Sequence, residues 1–288
     1  MDQRHRHRHR HVGARFVLTD PRIMRIFNLI KAAANPPAGT ARISSALALG
    51  FICHSTFAIA ILAMIFAMFF GLSESLGTVP WPWAILVNIA LIAQFPVVHS
   101  VLLTARGGRL LSRLIPGPHG ATLATTTYAI IASAQLLGLF ALWTPSGIVW
   151  WRAEGLAFWA LTTAYAASWL LLTKASFDAG VEVQSGALGW MSLMGRIRPT
   201  FPDMPTLGLF GLIRQPIYLA FTLTLWTVPV WTPDQLCLAL FYTVYCLVAP
   251  RLKECRFAAR YGDEFITYRA NVPYVLPCLH APKNTPKV

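Results

Sequence analysis

Charge is scarce in this sequence, and acid is scarcer than base. Only 12% of the 288 residues are charged, with 24 Lys and Arg against 11 Asp and Glu. A soluble domain carries about twice that share of charge, so a water-facing globule is excluded. Cysteine is sparse as well. Cys53, Cys237, Cys246, Cys255 and Cys278 are odd in number and form no CxxC pair, which predicts free thiols rather than a disulfide framework. No GxGxxG follows a strand, so a Rossmann nucleotide-binding domain is excluded. There are no internal repeats and no second soluble domain, and the first apolar run starts too late for a cleavable signal peptide.

What remains is apolar: 56% of the residues are hydrophobic and the mean hydropathy is +0.54. Uncharged stretches at 46–70, 83–104, 124–143 and 155–173 approach or exceed the roughly 20 residues that cross a hydrocarbon core. Two shorter ones, 216–231 and 234–249, reach only about 24 Å at about 1.5 Å per residue, short of a core of about 30 Å. They predict a tight helical hairpin. Thr232 as N-cap, Pro233 at the first helical position and Gln235 at the capping-box position mark its turn. The expected fold is all-α: a polytopic transmembrane helical bundle of five to six spans, including the short C-terminal hairpin.

Basic residues orient this bundle. Nine Lys and Arg precede residue 44, three lie in 105–120, four in 174–215 and seven from 250 onward. The alternate loops 71–82, 144–154 and 232–233 hold only Arg152. Both termini are therefore expected in the cytoplasm. The net charge of +13 reflects this asymmetry and attraction to anionic membrane lipid, a better reading than nucleic-acid binding. Trp81, Trp83, Trp143, Trp150 and Trp151 gather at the outer loops, where an interfacial belt is expected.

The organisation expected is a basic cytoplasmic tail, 1–43, followed by a membrane domain, 44–288. RHRHRHRH at 4–11 has alternating histidines, but the guanidinium groups between them repel a cation, so a basic surface tail is the better reading than a metal site. From Asp20-Pro21, Ile23, Ile26, Phe27 and Ile30 share a face while Arg22, Arg25 and Lys31 lie elsewhere, the pattern of an interfacial helix. NPPAG at 35–39 links it to the first span. The stretch 173–211 is too apolar for a free linker and too broken by Gly and Pro for a span, which predicts a re-entrant or surface element. The C-terminal part reads as a helix to about Tyr261, a turn at Gly262-Asp263 and a second short helix closed before Pro273.

Polar residues within spans or at their ends are the candidates for chemistry, because burying them is costly unless they are paired or useful. They are His54, His99, Arg214, Gln215, Arg251, Glu254 and Arg256, all in the expected cytoplasmic half. One carboxylate and several cations beside Tyr218, Tyr261 and Tyr268 suit a zwitterion carrying an aromatic base, such as S-adenosylmethionine. The alternative is that Arg214 and Arg251 are positive-inside anchors, Glu254 pairs with one of them, and the tyrosines are interfacial. His54 and His99, at similar depth, also raise a haem- or quinone-binding reading.

GLIRQPIYLAF at 211–221, followed by KECRFAARYGDEFITYRANVP at 253–273, resembles the C-terminal signature of the integral-membrane methyltransferases. That superfamily includes isoprenylcysteine carboxyl methyltransferase and phosphatidylethanolamine N-methyltransferase. Gly211, Arg214, Pro216 and Tyr218 match its first part, and Glu254, Tyr261, Gly262, Phe265, Tyr268, Val272 and Pro273 its second. VVHSVLLTAR and IPGPHGATLATTTYAI further resemble the branch with methanethiol S-methyltransferase, nurim and NnrU-like proteins. The resemblance implies that Arg214, Gln215, Tyr218 and Glu254 line an S-adenosylmethionine pocket within about 205–277. It also implies methylation of a small thiol such as methanethiol; His99, Arg251 and Tyr268 are the candidates for the acceptor side, where a cation such as Arg251 would favour the thiolate. Gln215 replaces the usual His, Lys253 the first acid, and Ala249 an arginine common in carboxyl methyltransferases. The last two departures disfavour a prenylcysteine or phospholipid acceptor, and Gln215 is the best support for a non-enzymatic, nurim-like protein.

Overall fold

The computed structural model describes residues 21–115 and 117–276; the RHRHRHRH stretch and Cys278 lie outside them. Among the described residues the elements run α1 (Pro21–Ala34), α2 (Thr40–Phe69), α3 (Trp83–Leu102), α4 (Ala105–Leu114), α5 (Gly120–Leu142), β1 (Trp151–Arg152), α6 (Gly155–Asp178), α7 (Val181–Gln184) and α8 (Ala187–Gly195). A 3-10 turn (Gly208–Gly211), α9 (Pro216–Trp226), β2 (Val230–Trp231), α10 (Pro233–Tyr261) and α11 (Asp263–Asn271) follow. α2, α3, α5, α6 and α10 are each long and apolar enough to cross a membrane, and α9 is a shorter apolar helix. The protein is an all-α polytopic membrane protein, with one two-residue antiparallel ladder between β1 and β2.

The expected hairpin is lopsided. The stretch 216–231 is helical only to Trp226, because Pro229 pushes the preceding residue out of the helical region and residues 230–231 pair with Trp151–Arg152 instead. The second arm does not stop at 249. It continues through Pro250 to Tyr261 as one 29-residue helix, about 43 Å at about 1.5 Å per residue. Thr232 caps it by accepting from the Gln235 amide at 2.9 Å. Gln235 does not close a capping box; its side chain donates to the Leu225 carbonyl at 2.8 Å and ties the two arms together.

The chain falls into two compact units. The first comprises the described parts of Met1–Phe57, Leu102–Ile131 and Gly180–Pro202. In it, α1 packs on α8 through Leu29 and Ala33, and Gly195 lies so close to Ala32 that a Cβ would sit 2.9 Å from its methyl group. Phe27 and Ile30 face outward, while Ile23 and Ile26 are half-buried, so the expected apolar face straddles the contact. Arg25 pairs with the buried Glu182 at 2.6 Å, and Arg42 donates to the last carbonyls of α8 at Leu193 and Met194. The segment expected to be re-entrant is the pair of short helices α7 and α8 followed by extended chain.

The second unit comprises Ala58–Val101, Ala132–Ala179 and the described part of Asp203–Val288. Its core gathers Met64, Met68, Leu72, Phe140, Leu225, Leu238 and Tyr242. Pro96 lies inside α3 and cannot donate to the carbonyl four residues back, Ile92. The Tyr242 hydroxyl of α10 donates to that carbonyl at 3.1 Å, so a neighbouring helix repairs the gap. Gln94 and Gln135 bond each other, Gln135 Nε2 donating to Gln94 Oε1 at 2.6 Å. Trp143 is core rather than interfacial: it is buried and its indole donates to Asp234 at 3.0 Å. Trp81, Trp83, Trp150 and Trp151 are exposed.

Candidate active site

The approach to the Arg214-Gln215-Pro216 stretch is anchored from α6. The buried Asp178 carboxylate accepts from the Leu209 amide at 2.9 Å and from Lys174 at 2.6 Å. Gly208, at φ +65°, is needed here, since a Cβ would lie 2.3 Å from a carboxylate oxygen. From this turn the chain reaches Gln215, the N-cap of α9, and Pro216 starts the helix without needing a donor.

At that helix mouth three side chains converge. Gln215 Nε2 donates to Glu254 Oε1 at 2.8 Å, and Arg214 Nε lies 3.2 Å from the same oxygen. The second is a charge contact without hydrogen-bond alignment, because Arg214 Nε has no aligned acceptor. Arg214 Nη1 donates to the Arg269 carbonyl near the end of α11 at 3.0 Å. Gln215 is 2% exposed, yet its Oε1 has no donor. A buried acceptor left unpaired costs about 1–3 kcal/mol, so this atom fits an incoming donor. One carboxylate, one buried amide acceptor and one guanidinium make a set suited to an ammonium and a carboxylate on the same ligand.

The segment after α11 closes the mouth from outside. The Arg214 amide donates to the Pro273 carbonyl at 2.9 Å and the Gln215 amide to the Tyr274 carbonyl at 3.2 Å. The Tyr274 ring lies under the Arg214 guanidinium at 5.4 Å, and its hydroxyl donates to the Leu247 carbonyl at 3.0 Å. Burial and the Glu254 carboxylate push that hydroxyl's pKa up, against the pull of Arg251 and Arg214. Tyr274 was not singled out by sequence; its only signal is an aromatic residue directly after the Val272-Pro273 pair.

The other expected residues take varied places. Tyr218, on the first turn of α9, lies near Tyr245, Cys246, Arg256 and Tyr274. Arg251 is exposed and bonds the Tyr274 hydroxyl. Tyr268 stands one layer back, where its hydroxyl donates to the Phe210 carbonyl at 2.7 Å; burial pushes its pKa up to about 12, so it is a neutral donor near neutral pH. His99 stacks on Phe95 at 4.7 Å and lies within the field of Arg256. His54 belongs to the first unit, and its Nε2 accepts from the Trp190 indole at 3.0 Å. That bond occupies one of the two ring nitrogens through which a histidine can ligate a haem iron. Among the described residues no three His, Cys, Asp or Glu side chains gather as a metal-ligand set. Lys253, in the position of the family acid, lies over the rings of Phe210 and Phe257 at 5.2 and 5.3 Å.

With this geometry described, known proteins add a comparison. The chain is similar to the methanethiol S-methyltransferase of Pseudomonas deceptionensis, 29% identical over 200 residues that cover 69% of this chain and 75% of that protein. It is similar to methanethiol S-methyltransferase 2 of Bradyrhizobium diazoefficiens, 30% identical over 208 residues, covering 70% and 76%. Nurim of Xenopus laevis is 26% identical over 190 residues, covering 62% and 65%. No family model and no solved structure matches the chain.

Proposed function

This chain belongs to the methanethiol S-methyltransferase family of integral-membrane methyltransferases, and on that premise we propose that it transfers a methyl group from S-adenosylmethionine to a small thiol such as methanethiol. The observation that carries the cofactor assignment is the buried, unpaired Gln215 Oε1 beside the Glu254 carboxylate and the Arg214 guanidinium. Glu254 and Gln215 Oε1 accept from the ammonium of the amino-acid moiety, Arg214 binds its carboxylate, and Tyr218 walls the methyl end. S-adenosylmethionine, when bound, supplies a methyl group on a positively charged sulfur. Held in line with that sulfur by these residues, an acceptor would take the methyl group as thiolate, its proton having passed to water and the donor leaving as a neutral thioether. In-line displacement requires alignment above all, so Gln215, which cannot titrate near neutral pH, serves in place of histidine.

On the acceptor side we place His99, Arg251 and Tyr268, with a nearby cation favouring thiolate. Ala249 and Lys253 leave no arginine-and-acid pair for a large anionic acceptor, which favours a small thiol over prenylcysteine or phospholipid. We place the protein in the bacterial inner membrane with both termini cytoplasmic, supported by the Lys and Arg asymmetry. Reporter fusions at residue 148 and at the C-terminus test this, and cytoplasmic signal at both would refute it.

The functional test is headspace gas chromatography on membranes containing the protein, given methanethiol and S-adenosylmethionine, beside calorimetry of S-adenosylmethionine with purified protein. Dimethyl sulfide is the expected product, with rates falling as the thiol's alkyl chain lengthens. Methylated prenylcysteine or phospholipid without volatile sulfide would overturn the acceptor. Absence of S-adenosylmethionine binding would favour a non-enzymatic role on the same scaffold.

A further inference from the structure

An open groove of about 790 Å³ runs along one side of the second unit between α3 and α10. Val97 and Ser100 of α3 and Leu240, Val244, Tyr245 and Leu252 of α10 line it, with Cys237 at its other end. From Cys237 to Leu252 the groove follows α10 for about 22 Å at about 1.5 Å per residue, the length of an extended long-chain acyl group. Its walls are apolar along this length, and Val97 and Val244 are 60% and 62% exposed. In water so long an apolar patch would be a liability; within a span it faces hydrocarbon.

Midway along the groove Tyr245 and Ser100 bond across it, and charge appears beyond one end. One helical turn past Leu252, on the same stripe of α10, stands Arg256, exposed and with its charge felt at both His99 of α3 and Tyr245 of α10. Arg256 thus follows the last lining residue of α10 by one turn, on the side where basic residues concentrate. An arginine is the side chain best suited to a phosphate diester at a membrane surface.

We propose that this groove holds one chain of an anionic phospholipid, with the lipid phosphate on Arg256 and the acyl chain along Val97, Val244 and Leu252. The lipid is resident rather than a substrate, and the inference is independent of the methyl acceptor assigned above. It rests on apolar length matched to a chain and on charge matched to a headgroup, whereas a free anion would have no use for the apolar walls.

The test is native mass spectrometry of the full-length protein released from mixed vesicles of phosphatidylglycerol and phosphatidylcholine. One phosphatidylglycerol should be retained per chain in preference to phosphatidylcholine. Arg256→Gln should cut that preference about tenfold, the size of a lost charged hydrogen bond, while still retaining a chain. Val244→Trp and, from the opposite wall, Val97→Trp should abolish retention of both lipids while circular dichroism stays unchanged. Failure of the wild type to retain lipid, or equal retention by both tryptophan variants, would overturn the proposal. So would a lipid-free dimer, which would assign the groove to a second copy, or displacement of the lipid by inorganic phosphate. Because the readout is bound mass, it does not depend on turnover.

Discussion

Replacing Glu254 by glutamine isolates its charge from its shape. Glu254 Oε1 accepts from Gln215 Nε2 at 2.8 Å and lies 3.2 Å from Arg214 Nε. Glutamine retains an acceptor for the first contact and loses the ion pair. The two side chains are 11% and 13% exposed, so the pair is neither freely solvated nor sealed. For the fold the loss should be small, about 1 kcal/mol or less, because Arg214 still donates to the Arg269 carbonyl and stacks on Tyr274. For a bound ammonium the loss is larger: a charged hydrogen bond worth about 1.5–3 kcal/mol, or about 10- to 100-fold in Kd. Thermal unfolding of detergent-purified protein reads the first quantity, and isothermal calorimetry with S-adenosylmethionine on the same sample reads the second. Unchanged affinity in a folded variant would return Glu254 to a purely structural role as the partner of Arg214. An equal fall in both would show that the carboxylate holds the helix mouth rather than a ligand.

Tyr242→Phe removes the hydroxyl that serves the Ile92 carbonyl across from Pro96, and should cost about 1 kcal/mol in thermal unfolding; no change would mean α3 repairs the gap itself. Glu182→Ala leaves Arg25 without its partner beneath α1 and should cost about 3 kcal/mol, with α1 becoming the first site of limited proteolysis. Tyr268 has a folded pKa above the ordinary phenol value of about 10, so its contribution to stability is complete below pH 10 and is lost as pH climbs toward about 12. Tyr268→Phe should therefore flatten the alkaline fall in melting temperature over that window, and an unaltered pH profile would refute the assignment.

The spans were legible because a bilayer demands long uncharged runs, and α2, α3, α5 and α6 lie where such runs occur. Thr232 was legible as a cap because its hydroxyl acts over a few residues only. The continuity of α10 through Pro250 was not legible. Proline ordinarily ends a helix, but membrane helices carry it where surrounding protein satisfies the freed backbone, and α10 passes straight through. At the site, the nearness of Arg214, Gln215 and Glu254 followed from resemblance to a two-part motif, because no local rule joins residues so far apart in the chain. The pairing of 214–215 with 273–274 was hidden for a further reason. It uses backbone groups, and these are the same whatever the side chains.

That pairing has a consequence for how the protein is made. Ribosomes deliver the chain from its N-terminus, and membrane helices settle as they emerge. Arg214 and Gln215 enter the bilayer's edge with their amides waiting for carbonyls that belong to Pro273 and Tyr274, among the last described residues to be synthesised. Until those arrive, the mouth of α9 lacks its outer wall and Arg214 has no ring beneath it. A half-made copy is thus a membrane protein without a finished site.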